Sequence, residues 1–244
     1  MEQITRAIII AAGEGRRLRP VTLTTPKPLV KVNGTSFADN IIQALKKNGI
    51  HEIYIVTGYK EEQFIEAYQD DPDITILENP IYQSSNNISS IYAARDYLPG
   101  SFIIEGDLLI NNPAIFDPAI EGSGYIATYM EEAPEWAITV EDGRIRHCDI
   151  AGGKDCYRLW GVSMWSRESG EKLAGFVKRQ VEEIKDLSIY WDQIALSLEA
   201  ESFELGIRET SLEDIIEVDT FDDLVSLDAS YKDYPMNQKE GGSI

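Results

Sequence analysis

The residues most able to do chemistry lie early in the chain. Gly13-Glu14-Gly15-Arg16-Arg17-Leu18-Arg19-Pro20 follows an apolar run directly, and Lys27 and Lys31 come soon after. Glycines let backbone N–H groups approach a ligand closely, and successive amides form an anion-binding concavity. The spacing is not a Gly-Lys-Ser/Thr phosphate loop, and Leu18 stands where a full Gly-x-Gly-x-x-Gly fingerprint needs its third glycine. The cation density sharpens the reading, because the chain as a whole has 22 Lys plus Arg against 42 Asp plus Glu, a net charge of −20. A solvated basic loop is the plain alternative; a triphosphate cradle explains the clustering better. Ala11, Ala12, Gly13, Gly15, Arg16, Arg17 and Lys27 are therefore the expected phosphate-side residues.

Two carboxylate pairs follow the same geometry as each other. Glu105-Gly106-Asp107 ends an apolar run, and Glu217-Val218-Asp219 repeats the spacing. Residues two apart on a strand share a face, and open α/β sheets bind ligands at the carboxyl ends of their strands. Magnesium takes oxygen ligands, usually one or two carboxylates plus phosphate oxygens and water. Acidic strand ends are common in so acidic a chain; beside the Gly/Arg loop they read as a metal site. Ser84, Ser85, Asn86, Asn87 and Ser90 form a polar run suited to hydrogen-bonding a base edge, although Asn87 reads equally well as a helix cap. Trp136 follows Glu135, and Tyr190-Trp191 precede Asp192. Ring faces with a nearby carboxylate suit a quaternary ammonium, whereas a primary ammonium wants direct acceptors. Each aromatic reads equally as core, and Trp160 and Trp165 are expected there.

Several classes fall away. His51, His147, Cys148 and Cys156 are the only residues of their types, too few for a disulfide scaffold or a zinc enzyme, and the scarcity of histidine weakens triad hydrolysis. Both cysteines are expected free and reduced. A chain this acidic repels phosphate backbones and anionic lipid, so neither nucleic acid nor membrane is an expected partner. No apolar run reaches the ~18–20 residues of a membrane span. The N-terminal apolar stretch lacks a charged leader and cleavage site, so the expected location is cytoplasmic.

The elements that must position these residues alternate. Strand patterns at 4–12, 52–57, 74–78 and 101–106 are separated by helical patterns at 36–48, 61–69 and 88–98, an order that argues for a parallel sheet with right-handed crossovers. After about residue 112 the rhythm changes. Strands are expected at 124–130, 135–141, 144–150 and 157–165, with a hairpin at Asp142-Gly143. Helices follow at 167–184 and 189–199, strands at 202–206 and 215–219, and a closing helix at 221–231.

Ala11 to Pro20, continuing through Thr25-Pro26-Lys27-Pro28-Leu29-Val30, resembles the signature of the sugar-phosphate nucleotidyltransferases. Asn86-Asn87, Glu105-Gly106-Asp107, Glu135-Trp136, Gly161-Val162-Ser163, Tyr190-Trp191-Asp192 and Glu217-Val218-Asp219 extend it, more narrowly, to the bacterial CTP:phosphocholine cytidylyltransferases. The resemblance ends near Leu227. It implies a Rossmann-like nucleotidyltransferase fold of the α/β class: a mostly parallel mixed central sheet, helices on both faces and a small acceptor-binding lobe. One domain over 1–232 is expected, its 1–111 half binding nucleotide and its 112–232 half binding acceptor and metal, before a polar tail at 233–244. Arg17 and Lys27 are implied as catalytic residues on the phosphates, and Ser85, Asn87, Ser90 and Asp107 as nucleotide-binding. Trp136, Tyr190 and Asp192 are implied at the acceptor, and Asp107 and Asp219, with Glu217, at Mg²⁺. The family's usual Asp-x-Asp is Glu105-Gly106-Asp107 here, which leaves Asp107 as the ligand and Glu105 without a role. The choice of CTP over UTP rests on the resemblance alone. The favoured acceptor is phosphocholine, ahead of phosphoethanolamine, 2-aminoethylphosphonate and a sugar 1-phosphate. A non-catalytic nucleotide sensor is the rival class, disfavoured because the loop cations and metal carboxylates are retained. A homodimer is the one protein assembly entertained.

Overall fold

The structure is a computed structural model and describes residues 1–235. Its centre is β1 (Arg6–Ile10), flanked in parallel by β2 (Glu52–Thr57) and β4 (Ser101–Glu105), with β3 (Ile74–Glu78) at the edge beyond β2. The β1 side chains alternate between two layers. Ala7 and Ile9 pack with Ile41 and Leu45 of α1 (Phe37–Lys47) and Phe64 of α2 (Glu61–Tyr68). Ile8 and Ile10 pack with Ile88 and Ile91 of α3 (Ile88–Ala93) and with Leu173 and Val177 of α4 (Arg167–Arg179). Both faces of the inner strands β1, β2 and β4 are thus covered, which is why they read as apolar runs. Ser36 caps α1 by accepting from the Asp39 amide.

The sheet is mixed, as expected, and its parallel pairings sit mostly in the first half. The strand order is β6-β10-β8-β7-β9-β4-β1-β2-β3, with β6 also paired to β9. Here β6 is Gly124–Ala133, β7 Ala137–Glu141, β8 Arg144–Asp149, β9 Gly153–Met164 and β10 Gly206–Glu209. Strand β9 joins the halves by running antiparallel to β4. Asp142 and Gly143, both at positive φ, make the expected hairpin between β7 and β8.

Some boundaries move. The strand expected at 202–206 forms instead at β10, because Gly206 fits flat against Gly124, where a Cβ would meet backbone at 2.2 Å. The helix expected at 88–98 ends at Ala93 and continues as a 3₁₀ turn, and that at 189–199 is only a π turn over Ile194–Leu198. Residues 215–219 do not join the central sheet. Strand β11 (Ile215–Glu217) pairs antiparallel with β5 (Leu108–Ile110), a short strand to which the apolar pattern assigns no element. The last helix, α5 (Phe221–Leu227), stops short of the expected 231. At the start of the polar tail expected over 233–244, Tyr234 packs on Tyr231, whose hydroxyl donates to the Lys31 carbonyl. Residues 236–244 lie outside the described part.

No helix among the described residues is long and apolar enough to cross a membrane. Cys148 and Cys156 are free thiols.

Candidate active site

The Gly/Arg loop is held from below. Leu18 is buried beside Val21, Val30, Phe37, Val218 and Leu224, a small apolar cluster that clamps the loop onto the segment after β11. Burying one such leucine is worth about 1.5–3 kcal/mol. Gly15 adopts a left-handed conformation (φ 60°), and a Cβ there would lie 2.8 Å from the Lys27 Cβ, so only glycine lets the Lys27 stem pass. Gly13 faces open space within 4 Å. The loop roofs a cleft of about 410 Å³ lined by Ala11, Ala12, Gly13, Gly15, Arg16, Arg17, Lys27, Ser85, Asn87, Ser90 and Asp107. The expected nucleotide-side residues are thereby brought together. Across the cleft, Asn79 donates to the hydroxyls of Ser89 (2.8 Å) and Ser90 (3.1 Å), fixing the polar run.

At the cleft's end stands a compact ion cluster. Lys27 Nζ lies 2.8 Å from Asp107 Oδ2 and 3.3 Å from Asp219 Oδ1, and Arg17 Nη2 lies 2.6 Å from Asp219 Oδ1. Burial disfavours the Lys27 ammonium, but the Asp107 and Asp219 charges outweigh it and hold its pKa above the ordinary value. Ligand atoms of Asp107, Glu217 and Asp219 lie within 4.8 Å of one another. The β5–β11 ribbon makes this so: Glu217 pairs with Leu108, and the Val218 amide donates to the Asp107 carbonyl at 3.1 Å. Asp107 Oδ1 is buried without a hydrogen-bond partner. Three hard oxygen donors with one orphaned oxygen fit a divalent cation.

Strand spacing misplaces Glu105 and Asp107 relative to each other. Strand β4 ends at Glu105 and residues 106–107 form a turn, so the two carboxylates part company. Asp107 joins the cluster, whereas Glu105 accepts from Asn87 Nδ2 at 3.2 Å. A Cβ on Gly161 would meet Glu105 Cγ at 2.5 Å, so glycine there makes the room Glu105 occupies. Burial first, then the Asp107 and Asp192 charges, push the Glu105 carboxyl well above its ordinary pKa. Asn87 makes no side-chain cap of α3; its Oδ1 accepts from the Trp191 amide at 3.0 Å.

On the far side of the cluster lies a second cavity of about 190 Å³. Trp136, Tyr190 and Asp192 line it together, with Glu135, Arg158, Gly161 and Glu217, and it shares Arg17, Asn87, Glu105, Asp107 and Asp219 with the first. The Trp136 and Tyr190 rings meet edge to face, centroids 5.4 Å apart at 86°. Asp192, 8% exposed, has its pKa raised to about 7 by burial, with the Tyr125 hydroxyl opposing the shift. Glu217 is likewise pushed to about 7, by burial and then by Asp107 and Asp219, although Arg158 Nη2 donates to it at 2.5 Å. Trp160 and Trp165 are core, as expected.

Sequence reasoning missed Arg158, Asn79 and Tyr82 at these walls. Arg158 sits mid-strand without a motif; its one signal is the two-residue alternation with Trp160, over whose ring its guanidinium lies at 4.5 Å.

Comparison with known proteins bears on this geometry. Residues 6–123 match the nucleotidyl transferase family. The chain is 37% identical to a 2-aminoethylphosphonate cytidylyltransferase of Lancefieldella rimae, over 93% of either chain. It is 31% identical to the choline-phosphate cytidylyltransferase of Streptococcus pneumoniae, over 93% of this chain and 98% of that one. The solved CTP:phosphocholine cytidylyltransferase of S. pneumoniae superposes with a TM-score of 0.85 at 30% identity, covering 93% of this chain and 99% of the other. This chain belongs to the nucleotidyl transferase family and, within it, to the cytidylyltransferases.

Proposed function

We propose that the chain transfers CMP from CTP to a small molecule joining an ammonium to a phosphate or phosphonate, with Mg²⁺ as cofactor. The observation that carries this reading is the pair of cavities meeting at Arg17, Asp107 and Asp219. An acceptor oxygen attacks the α-phosphorus in line, the bond to the β-phosphate oxygen breaks, and pyrophosphate leaves with that oxygen. The nucleophile is already an anion, so no general base is needed. His51, exposed and hydrogen-bonded to Asp73, lines neither cavity.

Asp107 and Asp219, with Glu217, would hold Mg²⁺, which when bound supplies charge neutralisation at the phosphates. Lys27 orients Asp107 and Asp219 and presents a positive charge beside them, and Arg17 adds a second. Gly13, Gly15 and Arg16 cradle the outer phosphates, while Ser85, Asn87 and Ser90 face the base. The catalytic unit spans 1–232, nucleotide mostly on 1–111 and acceptor mostly on 112–232, with Arg17, Asn87, Glu105, Asp107 and Asp219 shared across that division.

For the acceptor, the cavity favours a primary amine. Asp192, Glu105, Glu135 and Glu217 offer direct acceptors, and Trp136 and Tyr190, set edge to face, enclose a cation from few sides. 2-Aminoethylphosphonate has this chemistry and is named for the 37% identical relative. Phosphocholine is the second reading, carried by those same two rings and by the S. pneumoniae relative. Pyrophosphate release should be measured with each nucleoside triphosphate against 2-aminoethylphosphonate, phosphoethanolamine, phosphocholine and a sugar 1-phosphate. We expect CTP with 2-aminoethylphosphonate to give the highest kcat/KM. Preference for phosphocholine would select the second reading, and best turnover with UTP and a sugar phosphate would sink both.

A further inference from the structure

We infer that Arg158 binds the phosphate or phosphonate group of the acceptor, an inference that rests on the acceptor reading above. The starting point is charge. Six carboxylates line the acceptor cavity: Glu105, Asp107, Glu135, Asp192, Glu217 and Asp219. They suit the ammonium end of a zwitterion and repel its anionic end. Two cations share the lining, Arg17 and Arg158. Arg17 also lines the nucleotide cavity and is bonded to Asp219. Among the described residues, Arg158 is the Lys or Arg that faces the acceptor cavity and not the nucleotide one.

Its placement suits the task. Arg158 lies opposite Ala137 in the β7–β9 register, next to Trp136, and reaches Glu217 at 2.5 Å, within the metal cluster. The side chain therefore stretches from the ring wall toward the carboxylates where the chemistry takes place. The Trp160 ring braces the guanidinium at 4.5 Å, leaving the side chain 18% exposed, so little freedom remains to be lost on binding. Its Nη2 serves Glu217, with Glu135 at 4.0 Å, while its Nε is buried without a hydrogen-bond partner. Planar guanidinium donors match phosphate oxygens two at a time. A guanidinium whose Nη1 makes no hydrogen bond among the described residues, lining the acidic cavity that must admit an anion, assigns the anion to Arg158.

The competing account is that Arg158 only neutralises Glu217. Calorimetry separates the two with methylphosphonate, an anion without an amine, titrated into enzyme loaded with Mg²⁺ and a non-reacting α,β-methylene analogue of CTP. We expect wild type to bind it and Arg158→Gln to bind it about 10–100-fold more weakly, the loss of one charged hydrogen-bonded contact. Arg158→Lys should fall between, keeping the charge without the fork. Acceptor KM should rise in parallel, with CTP KM within about twofold of wild type. In the double variant Arg158→Gln/Glu217→Gln, methylphosphonate binding should stay as weak as in Arg158→Gln. Recovery in that double variant, undiminished binding in Arg158→Gln, or no binding in wild type would each overturn the assignment. None of these titrations needs an amine or turnover, so failure of every amine acceptor in the wild type would count separately, against the acceptor reading. Melting curves show whether each variant is folded, and Arg158→Lys carries the comparison if Arg158→Gln is not.

Discussion

The cleft under the Gly/Arg loop takes its walls from loops that follow parallel strands: residues 10–17 after β1, 79–90 after β3 and 105–107 after β4. The cavity across Asp107 and Asp219 is assembled differently, from the approach to β7, the middle of β9, the turn before Ile194 and the end of β11. The first concentrates Arg16, Arg17 and Lys27 in one stretch, as a triphosphate requires. The second gathers carboxylates from separate elements, as an ammonium requires. A polyanion site can be written into one contiguous loop because backbone amides do much of the binding. A site for a small zwitterion has to converge side chains from afar, so its chemistry is dispersed along the chain.

The largest effect should come at the shared wall, where the contrast breaks down because both substrates depend on the same groups. Asp107→Asn or Asp219→Asn removes a charge from the cluster that holds Lys27 and, in our proposal, Mg²⁺. We expect kcat to fall about 10³-fold or more, since transition-state charge loses its preorganised counter-charge. Thermal melts should change little, because Val218 and Leu108 supply the packing there. Near-wild-type turnover in both variants would show that other carboxylates do the work. Chelation of divalent ions should abolish turnover, and added Mg²⁺ should restore it.

Asp192 sharpens the comparison, because its effects should be confined to the acceptor side and carry a pH signature. Asp192→Asn should lower acceptor kcat/KM about 10–100-fold, the loss of a charged hydrogen bond, and leave CTP KM near wild type. With the carboxyl raised to about 7, wild-type acceptor kcat/KM should climb as pH rises through that value. The climb should flatten in Asp192→Asn. Stability moves the other way. Between about pH 4 and pH 7 the folded chain keeps a proton on Asp192 that the unfolded chain has lost, so ionising it weakens the fold as pH rises. Moving a carboxyl from 3.8 to about 7 corresponds to at most on the order of 4 kcal/mol. Asp192→Asn should therefore melt above wild type at pH 8, with the gap closing near pH 4. A gap of opposite sign, or none, would mean that the carboxylate is stabilised in place.

The same contrast governs what the sequence discloses. Strand β2 runs over the residues whose apolar pattern marks it, because both of its faces are covered, and the half-exposed edge strand β3 does so through Ile74, Ile76 and Leu77. The Gly/Arg loop is legible for a similar reason: its chemistry is contiguous. Glu105 and Asp107 are legible as a pair but not as separate roles, since the turn at Gly106 cancels the two-residue alternation. Trp136 lies far in sequence from Tyr190 and Asp192, and only a family resemblance groups them. Arg158 lies in a strand whose sequence gives its face but not which loop covers that face. Period reports direction; it does not report neighbours across a crossover.

The smallest effect we expect tests how evenly the loop cations share the triphosphate. Both side chains are exposed: Arg16 Nε donates to Glu14 Oε2 at 2.8 Å, while Arg17 Nη2 reaches Asp219 in the ion cluster at 2.6 Å. The Arg16 hydrogen bond, against burial, holds the Glu14 carboxyl below its ordinary pKa. An exposed cation at high dielectric is worth about 0.2–1 kcal/mol to a neighbouring charge, and less with added salt. Arg16→Ala should then raise CTP KM only about two- to threefold, with acceptor KM and kcat nearly unchanged. The effect should shrink further at high ionic strength, whereas Arg17→Ala should also lower kcat, because its partner Asp219 lies in the cluster. Glu14→Ala removes one partner of Arg16 and should lower CTP KM slightly if the guanidinium then turns to the phosphates. A CTP KM raised more than about tenfold by Arg16→Ala would mean that nucleotide binding pulls Arg16 from Glu14 into the cleft. In that case the loop rearranges around its ligand, and the nucleotide side is no more preformed than the acceptor side.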